Sequence, residues 1–196
     1  MPPQDIISKL KESGIKGRSG SAFPTGLKWE SVKKAKSSKK YLICNATEGE
    51  PELFKDDYIL KNHAKEVIEG MRIALKTIGN AEGYIYINKE YFKKYGTKLK
   101  KLIKKLPISI VIANEEYGKY IIGEETSIIE AIEGKRAEPR QKPPLPTEKG
   151  LFNCPTLVNN VETLYYVSQI NENKYQNKRF FCISGKARNK GVFELP

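Results

Sequence analysis

The chain has 196 residues, 39% of them hydrophobic and 30% charged, with a net charge of +12. That length holds one domain with a small appendage and a real core, and the balance excludes a disordered chain. The longest apolar runs, such as ISIVIA, are too short to span a membrane, and the opening MPPQDIISKL has no apolar signal region, so neither membrane insertion nor secretion is expected. Cys44, Cys154 and Cys182 lie far apart and form no CxxC, which argues against a disulfide framework or a metal site; the cytoplasm is the expected compartment.

The first unusual stretch is GIKGRSGSAFPTGLKW, Gly14 to Trp29. Glycine in a loop costs folding entropy, so its density here needs a reason. A tight surface turn and a close backbone approach to a ligand, most often a phosphate, both supply one. No Walker motif follows, and no GxGxxG sits after a strand. YLICN (41–45) is a short apolar run ending in turn-prone residues and reads as a buried strand. NHAKEVIEGMRIALKTIG reads as a helix, with Asn62 as its cap, Val67, Met71, Ala74, Leu75 and Ile78 on one face, and Gly79 at its end. His63 falls in its first turn and reads as a surface residue. GYIYIN (83–88) alternates like a strand.

Glu90 to Lys105 reads as a helix with Leu99, Leu102, Ile103 and Leu106 inward, and ISIVIA (108–113) as a third strand. A helix is expected from near Gly123 to before Gly134, with Ile128, Ile129 and Ile132 facing the core. RAEPRQKPPLPTEKG (136–150) reads as an extended loop, and TLVNNVETLYYVSQI (156–170) as another helix. The tail from Arg179 reads as a strand, a turn and a second strand. Strands alternating with helices imply an α/β fold: a Rossmann-like parallel sheet with helices on both faces. Residues 1–175 would form that domain, and 176–196 the start of a β-grasp-like segment. An apolar patch around Phe180, Phe181 and Val192 would then seek another chain.

The stretch KEYFKKYGTKLKKLIKK, Lys89 to Lys105, carries eight lysines and one Glu. Arginine, which base-reading surfaces favour, is missing from it, so a solvated helix face is the stronger reading and no nucleic-acid partner is expected. Ligands of open α/β sheets sit beyond the carboxyl ends of the strands. The first strand ends into NATEGEPE, with Asn45, Glu48 and Glu50, where an ordinary polar loop and a heterocycle edge contact both fit. Glu124 and Glu125 fall at a helix start, where a structural role suffices. Asn159 and Asn160 are either a frayed helix start or ligand donors.

Read together and in order, GRSGSAFPTGLKW, YLICNATEGEPELFKDDYIL, IIGEETSIIEAIEGKRAEPRQKPPLP and PTLVNNVETL resemble the NADH-oxidising flavoprotein subunit of respiratory complex I and its counterparts in NAD-linked hydrogenases and formate dehydrogenases. The resemblance runs from about Gly14 to the end of the chain. It implies an FMN reduced by hydride from NADH. In it, Gly17, Arg18 and Gly20 would form the wall against which flavin and nicotinamide pack. Lys28 would reach the flavin phosphate or ring, and Phe23 would stack on the adenine. Asn45 and Glu48 would line the flavin. Glu50 would contact the nicotinamide nucleotide, with Glu125 directed to the same side, which makes these two the expected catalytic residues. Tyr120, Gly123 and Glu124 would pack on FMN, Asn159 and Asn160 would hold its phosphate end, and Lys142 would favour the charge of the dinucleotide.

The chain departs from the family pattern at several of these positions. Ser19 and Ala22 stand where glycines are usual, Thr47 replaces an acid and Gly49 a serine, and Leu145 takes the place of an aromatic. A base–aromatic stack contributes roughly 1–3 kcal/mol, so losing one would weaken NADH about tenfold or more. The family continues through a β-grasp domain to a helical domain holding a [4Fe–4S] cluster; this chain lacks those ligands. Electrons on its flavin would therefore leave through iron–sulfur partner subunits, or through the missing portion carried on another chain. A second expectation is a truncated or degenerate paralogue that serves as a nucleotide-binding or assembly module without turnover.

Overall fold

The computed structural model describes residues 3–114 and 121–196. Its centre is the run Lys40–Ala46, strand β1, in which all seven residues are buried. The pleat sends Leu42, Cys44 and Ala46 to one face and Tyr41 and Ile43 to the other, and each set joins a different apolar cluster. A strand apolar on both faces belongs in the middle of a parallel sheet. β1 is flanked by β2 (Ala81–Ile87) and β4 (Thr156–Asn160), and β2 by β3 (Ile108–Ile112), giving four parallel strands in the order β3-β2-β1-β4.

Helices α1 (Pro3–Glu12), α2 (Thr25–Lys34), α3 (Lys55–Ile78), α4 (Lys89–Ile103) and α7 (Val161–Asn171) contribute to the larger cluster on one face. The other face is covered by α5 (Glu125–Ile132) together with the 136–154 segment and its short helix α6 (Pro146–Lys149). The expected α/β class, with helices on both sides of a parallel sheet, is what the chain adopts. Val67, Met71, Ala74, Leu75 and Ile78 are all buried, as their spacing demands. Among the described residues no helix is long and apolar enough to cross a membrane.

Three readings are corrected. The segment 156–170 is not one helix. Its first five residues form the buried strand β4, and Asn160 then caps α7 by accepting from the N–H of Glu162 at 2.9 Å. Thr and Val fit a pleated surface, and pairing with β1 decides the case. Helix α3 starts at Lys55, not at Asn62. The Glu48 carboxylate accepts from the N–H groups of Lys55 and Asp56 at 3.1 and 3.0 Å, a cap seven residues away in sequence. Asn62 lies inside the helix, donating to the carbonyl of Tyr58, and His63 sits at a bend in it, half-buried, its ring 4.9 Å from that of Tyr165.

The third correction concerns the tail. Strands β5 (Arg179–Ile183) and β6 (Gly191–Leu195) form an antiparallel pair, but Phe180 is buried among Tyr58, Tyr165 and Tyr166, and Val192 packs against the same cluster. Period-two alternation puts neighbours on opposite faces, so only Phe181 of the three expected patch residues is exposed, and Phe193 and Leu195 join it. Phe180→Ala is expected to cost about 3 kcal/mol, as for a buried phenylalanine. Phe181→Ser should stay within about 0.5 kcal/mol, as for an exposed site. Urea unfolding of the two variants checks this; a larger loss in Phe181→Ser would mean that the tail packs the other way.

Candidate functional site

The pairing of β1 with β4 sets Asn45 opposite Asn160 and Cys44 opposite Asn159. From β1 the chain proceeds to β2 on one side, while β4 lies on the other, so the carboxyl ends of β1 and β4 flank the point where the strand order reverses. Ligands of open α/β sheets sit in the crevice at such a point. Here the crevice is a cleft of about 500 Å³, within the usual range for small-molecule sites. Its walls include Arg18, Gly20, Lys28, Asn45, Glu48, Glu50, Gly123, Glu124, Glu125, Lys142 and Asn160. Segments far apart in sequence thus converge on one space. Gly17, Phe23 and Asn159 line a small recess that shares Lys28 and Asn160 with the cleft. Tyr120 lies outside the described residues.

The walls are held by specific contacts. Asn45 donates to the carbonyl of Gly123 at 3.0 Å and accepts from the N–H and hydroxyl of Thr47 at 3.0 and 2.7 Å, tying the end of β1 to the turn before α5. A methyl at Gly123 would meet the Thr47 carbonyl at 3.2 Å, so that approach is tight. Glu124 caps α5, accepting from the N–H groups of Thr126 and Ser127 at 2.7 and 2.9 Å, and pairs with Lys142 at 2.9 Å. Burial pulls its pKa up, but the hydrogen bonds from Thr126, Lys142 and Ser127 outweigh it, and the carboxyl stays below its ordinary range. Lys28 pairs with Glu125 at 2.6 Å and donates to the carbonyl of Val158 at 2.9 Å.

The two asparagines of β4 do internal work. Asn159 accepts from the buried indole N–H of Trp29 at 2.9 Å, and Asn160 donates to Asp56 at 2.9 Å besides capping α7. They end a strand and begin a helix, and neither is frayed. Arg18 is not a solvated cation: its side chain is 10% exposed and donates to the Tyr175 hydroxyl and the Lys178 carbonyl at 3.1 and 3.2 Å. Its own N–H donates to the Thr163 hydroxyl at 3.1 Å, which fastens the Gly-rich loop to α7.

Sequence reasoning missed a charged cluster behind the cleft. Lys55 pairs with Asp56 at 2.7 Å and lies 3.6 Å from Glu162, which also accepts from the N–H of Phe180 at 3.0 Å. Burial draws the Lys55 ammonium down, but Asp56 and Glu162 more than compensate and hold it charged. Burial pushes Glu162 up. Glu48 is pushed up to about 7, first by burial and then by Asp56. Part of the cluster is visible in the run ELFKDD, where charges stand directly before an apolar helix pattern, but nothing there points to Glu162. A larger hollow of about 610 Å³ beside α5 has its two acids already paired, Glu130 and Glu133 being taken up by Arg140 and Lys135. No group of His, Cys, Asp and Glu suited to a metal ion occurs among the described residues.

A family model described as the Nuo51 FMN-binding domain matches residues 10–169. The chain is 38% identical to a subunit of the NADH-quinone oxidoreductase of Rhizobium meliloti, over 99% of this chain and 52% of that protein. It is 36% identical to the NAD-reducing hydrogenase HoxS subunit alpha of Cupriavidus necator, over 100% of this chain and 36% of the other. A crystal structure of an NAD+-reducing [NiFe]-hydrogenase in the H2-reduced state superposes with a TM-score of 0.89 at 31% identity, covering 99% of this chain and 37% of that one. The chain thus spans about half the length, or less, of these relatives.

Proposed function

This chain belongs to the Nuo51 FMN-binding domain family, and from that membership we propose that it holds FMN in the cleft between β1 and β4, accepts hydride from NAD(P)H and passes electrons to iron–sulfur partner subunits. The observation that carries the reading is the convergence of the Gly-rich loop, the end of β1, the start of α5 and the end of β4 on one cleft at the switch point of the sheet. The residues present fit the cofactor. Lys28 and Lys55 bring cations to the cleft for an anionic cofactor, and Gly20 leaves bare backbone on its wall. The Thr25 hydroxyl, buried in the adjoining recess, has no hydrogen-bond partner among the described residues and can meet a ligand atom or a water.

FMN, when bound, supplies an acceptor that takes two electrons together and releases them singly. The side chains then have distinct tasks. Asn45 and Gly123 set the spacing of the flavin wall, and Glu124, locked as a cap, keeps its charge at a fixed place. Lys28, half-buried and braced by Glu125 and Val158, holds a positive charge where reduction would add a negative one. Asn160 and the Lys55–Asp56 pair close the rear of the cleft against water. We assign contact with the dinucleotide to Glu50 and Glu125, with Phe23, which is 47% exposed, as its stacking surface and Lys142 as a charge at the rim.

A second reading, flavin or nucleotide binding without turnover, is favoured by one feature: Leu145 stands 45% exposed where an aromatic would extend the stacking surface. One experiment separates the two. Purified chain is mixed with FMN and its visible absorption recorded, then NADH is added without oxygen. A bound-flavin spectrum that bleaches supports hydride transfer. A bound spectrum that persists supports the second reading, and no bound flavin overturns the first.

A further inference from the structure

Glu48 stands apart from the other acids of the cleft in what its carboxylate holds. One oxygen accepts from the N–H of Lys55 at 3.1 Å; the other accepts from the N–H of Asp56 at 3.0 Å and from the Tyr91 hydroxyl at 2.8 Å. It therefore bridges the loop after β1 to the first turn of α3 and to the first turn of α4, while lining the cleft itself. A carboxylate offers acceptors to all three donors. A protonated carboxyl keeps one oxygen as a hydroxyl donor, so one of the three contacts must turn or break. The charge of this side chain and the order of the cleft wall are thus one variable.

The charged groups that face Glu48 are few. From α3 come Asp56, which opposes its ionisation, and Lys55, which favours it; from α4 comes Tyr91, whose hydroxyl favours the ionised form. Behind Lys55 stands Glu162, and across the cleft Lys28 and Lys142 are held by their own carboxylate partners, Glu125 and Glu124. Arg18, on the same wall, is turned to Tyr175 and Lys178. The three lysines already share their charge with carboxylates, so an anion entering beside Glu48 still adds negative charge next to its carboxylate. An anionic ligand raises the cost of keeping the carboxylate ionised there.

We propose that Glu48 is a positioning residue that couples the wall of the cleft to protonation, taking up a proton when an anionic flavin nucleotide occupies the site. The inference rests on the flavin reading given above. Its direction follows from linkage: a group whose proton affinity rises on binding makes affinity fall as pH rises through its titration. The burial that already lifts Glu48 to about 7 brings that window to neutral pH.

Two measurements test it. In the first, FMN is titrated calorimetrically into the full chain at pH 7.5, in Tris and in HEPES, whose ionisation heats differ. Wild type is expected to take up about half a proton, as for a one-unit rise in pKa, and to lose about fivefold in affinity between pH 6 and 8 relative to Glu48→Gln. Glu48→Gln should show no uptake. Equal uptake in both proteins, or none in a wild type that binds, overturns the proposal.

The second measurement uses the chain without flavin. The stability difference between wild type and Glu48→Gln is followed by urea unfolding from pH 4 to 8. Because the folded pKa lies above the ordinary 4.5, the folded protein binds more protons in that window. The contribution should be present at low pH, fall as pH rises from about 4.5 to 7, and then level off. Tyr91→Phe removes one donor to the ionised form and should move the upper limit to higher pH. A difference that does not vary with pH, or an unmoved limit in Tyr91→Phe, overturns the positioning role. If no flavin binds at all, the flavin reading fails and proton uptake fails with it, while this second measurement still decides whether Glu48 governs the wall.

Discussion

Replacing Gly20 by valine is expected to lower FMN affinity by at least about a hundredfold, some 3 kcal/mol, while leaving a cooperatively folded chain. Gly20 sits at φ +91° on the wall of the cleft, and nothing stands within 4 Å of the position where a Cβ would lie. The space is open on the side a ligand would fill. A β-branched residue strains this backbone by roughly 1–3 kcal/mol, and the loop would shift to relieve it. Because Gly20 lies on an exposed surface loop, the loss in melting temperature should be modest. Both a flavin wall and a mere turn predict some strain, so the deciding readout is the flavin titration. Normal affinity in Gly20→Val would show that the loop is only a turn. Arg18→Ala is expected to act differently from a screened surface cation. The side chain ties the loop to Tyr175 and Lys178, so its loss should loosen the loop and the tail together.

Gly70→Ala is expected to cost about 4 kcal/mol or more, beyond the usual range for overpacking. Gly70 faces α7 where α3 crosses it, and a Cβ there would lie 2.0 Å from the carbonyl oxygen of Leu164 and 2.7 Å from its carbon. These are backbone atoms of a helix, so no side chain can rotate away; the two helices must separate, and the Tyr165 and Tyr166 packing on Phe180 would be disturbed with them. Loss of a cooperative thermal transition, or a large drop in urea midpoint, is the expected measurement. Gly17→Ala serves as the comparison, since its Cβ would meet no atom closer than 3.4 Å and stability should be nearly unchanged. A Gly70→Ala protein as stable as Gly17→Ala would mean that the helices do not approach as described.

Composition and periodicity determined a good deal. YLICN, GYIYIN and ISIVIA are strands because β-branched and aromatic runs fit a pleated surface, and the helices between them carry their apolar residues at a 3.6 spacing. Parallel pairing follows from that alternation alone. The glycines and charges of the motifs marked most of the cleft by resemblance. What stayed hidden were features whose cause lies elsewhere in the chain. TLVNN became a strand because a slot beside β1 was open to it. Helix α3 begins at Lys55 because a carboxylate seven residues upstream caps it. Phe180 turned inward because a cluster of tyrosines from α3 and α7 was there to receive it.

The charged cluster shows the division most clearly. Lys55, Asp56 and Glu162 are common residues at common positions near helix starts, and nothing in their spacing joins them. Folding brings the starts of α3 and α7 side by side, and only then does the lysine gain two carboxylates and a fixed charge. Sequence alone determined which segments are strands and helices and which residues are polar enough to line a site, because those depend on local periodicity and side-chain chemistry. The tertiary structure decided which polar groups satisfy one another and which face the cleft, because hydrogen bonds and ion pairs depend on distances that only the packed chain sets.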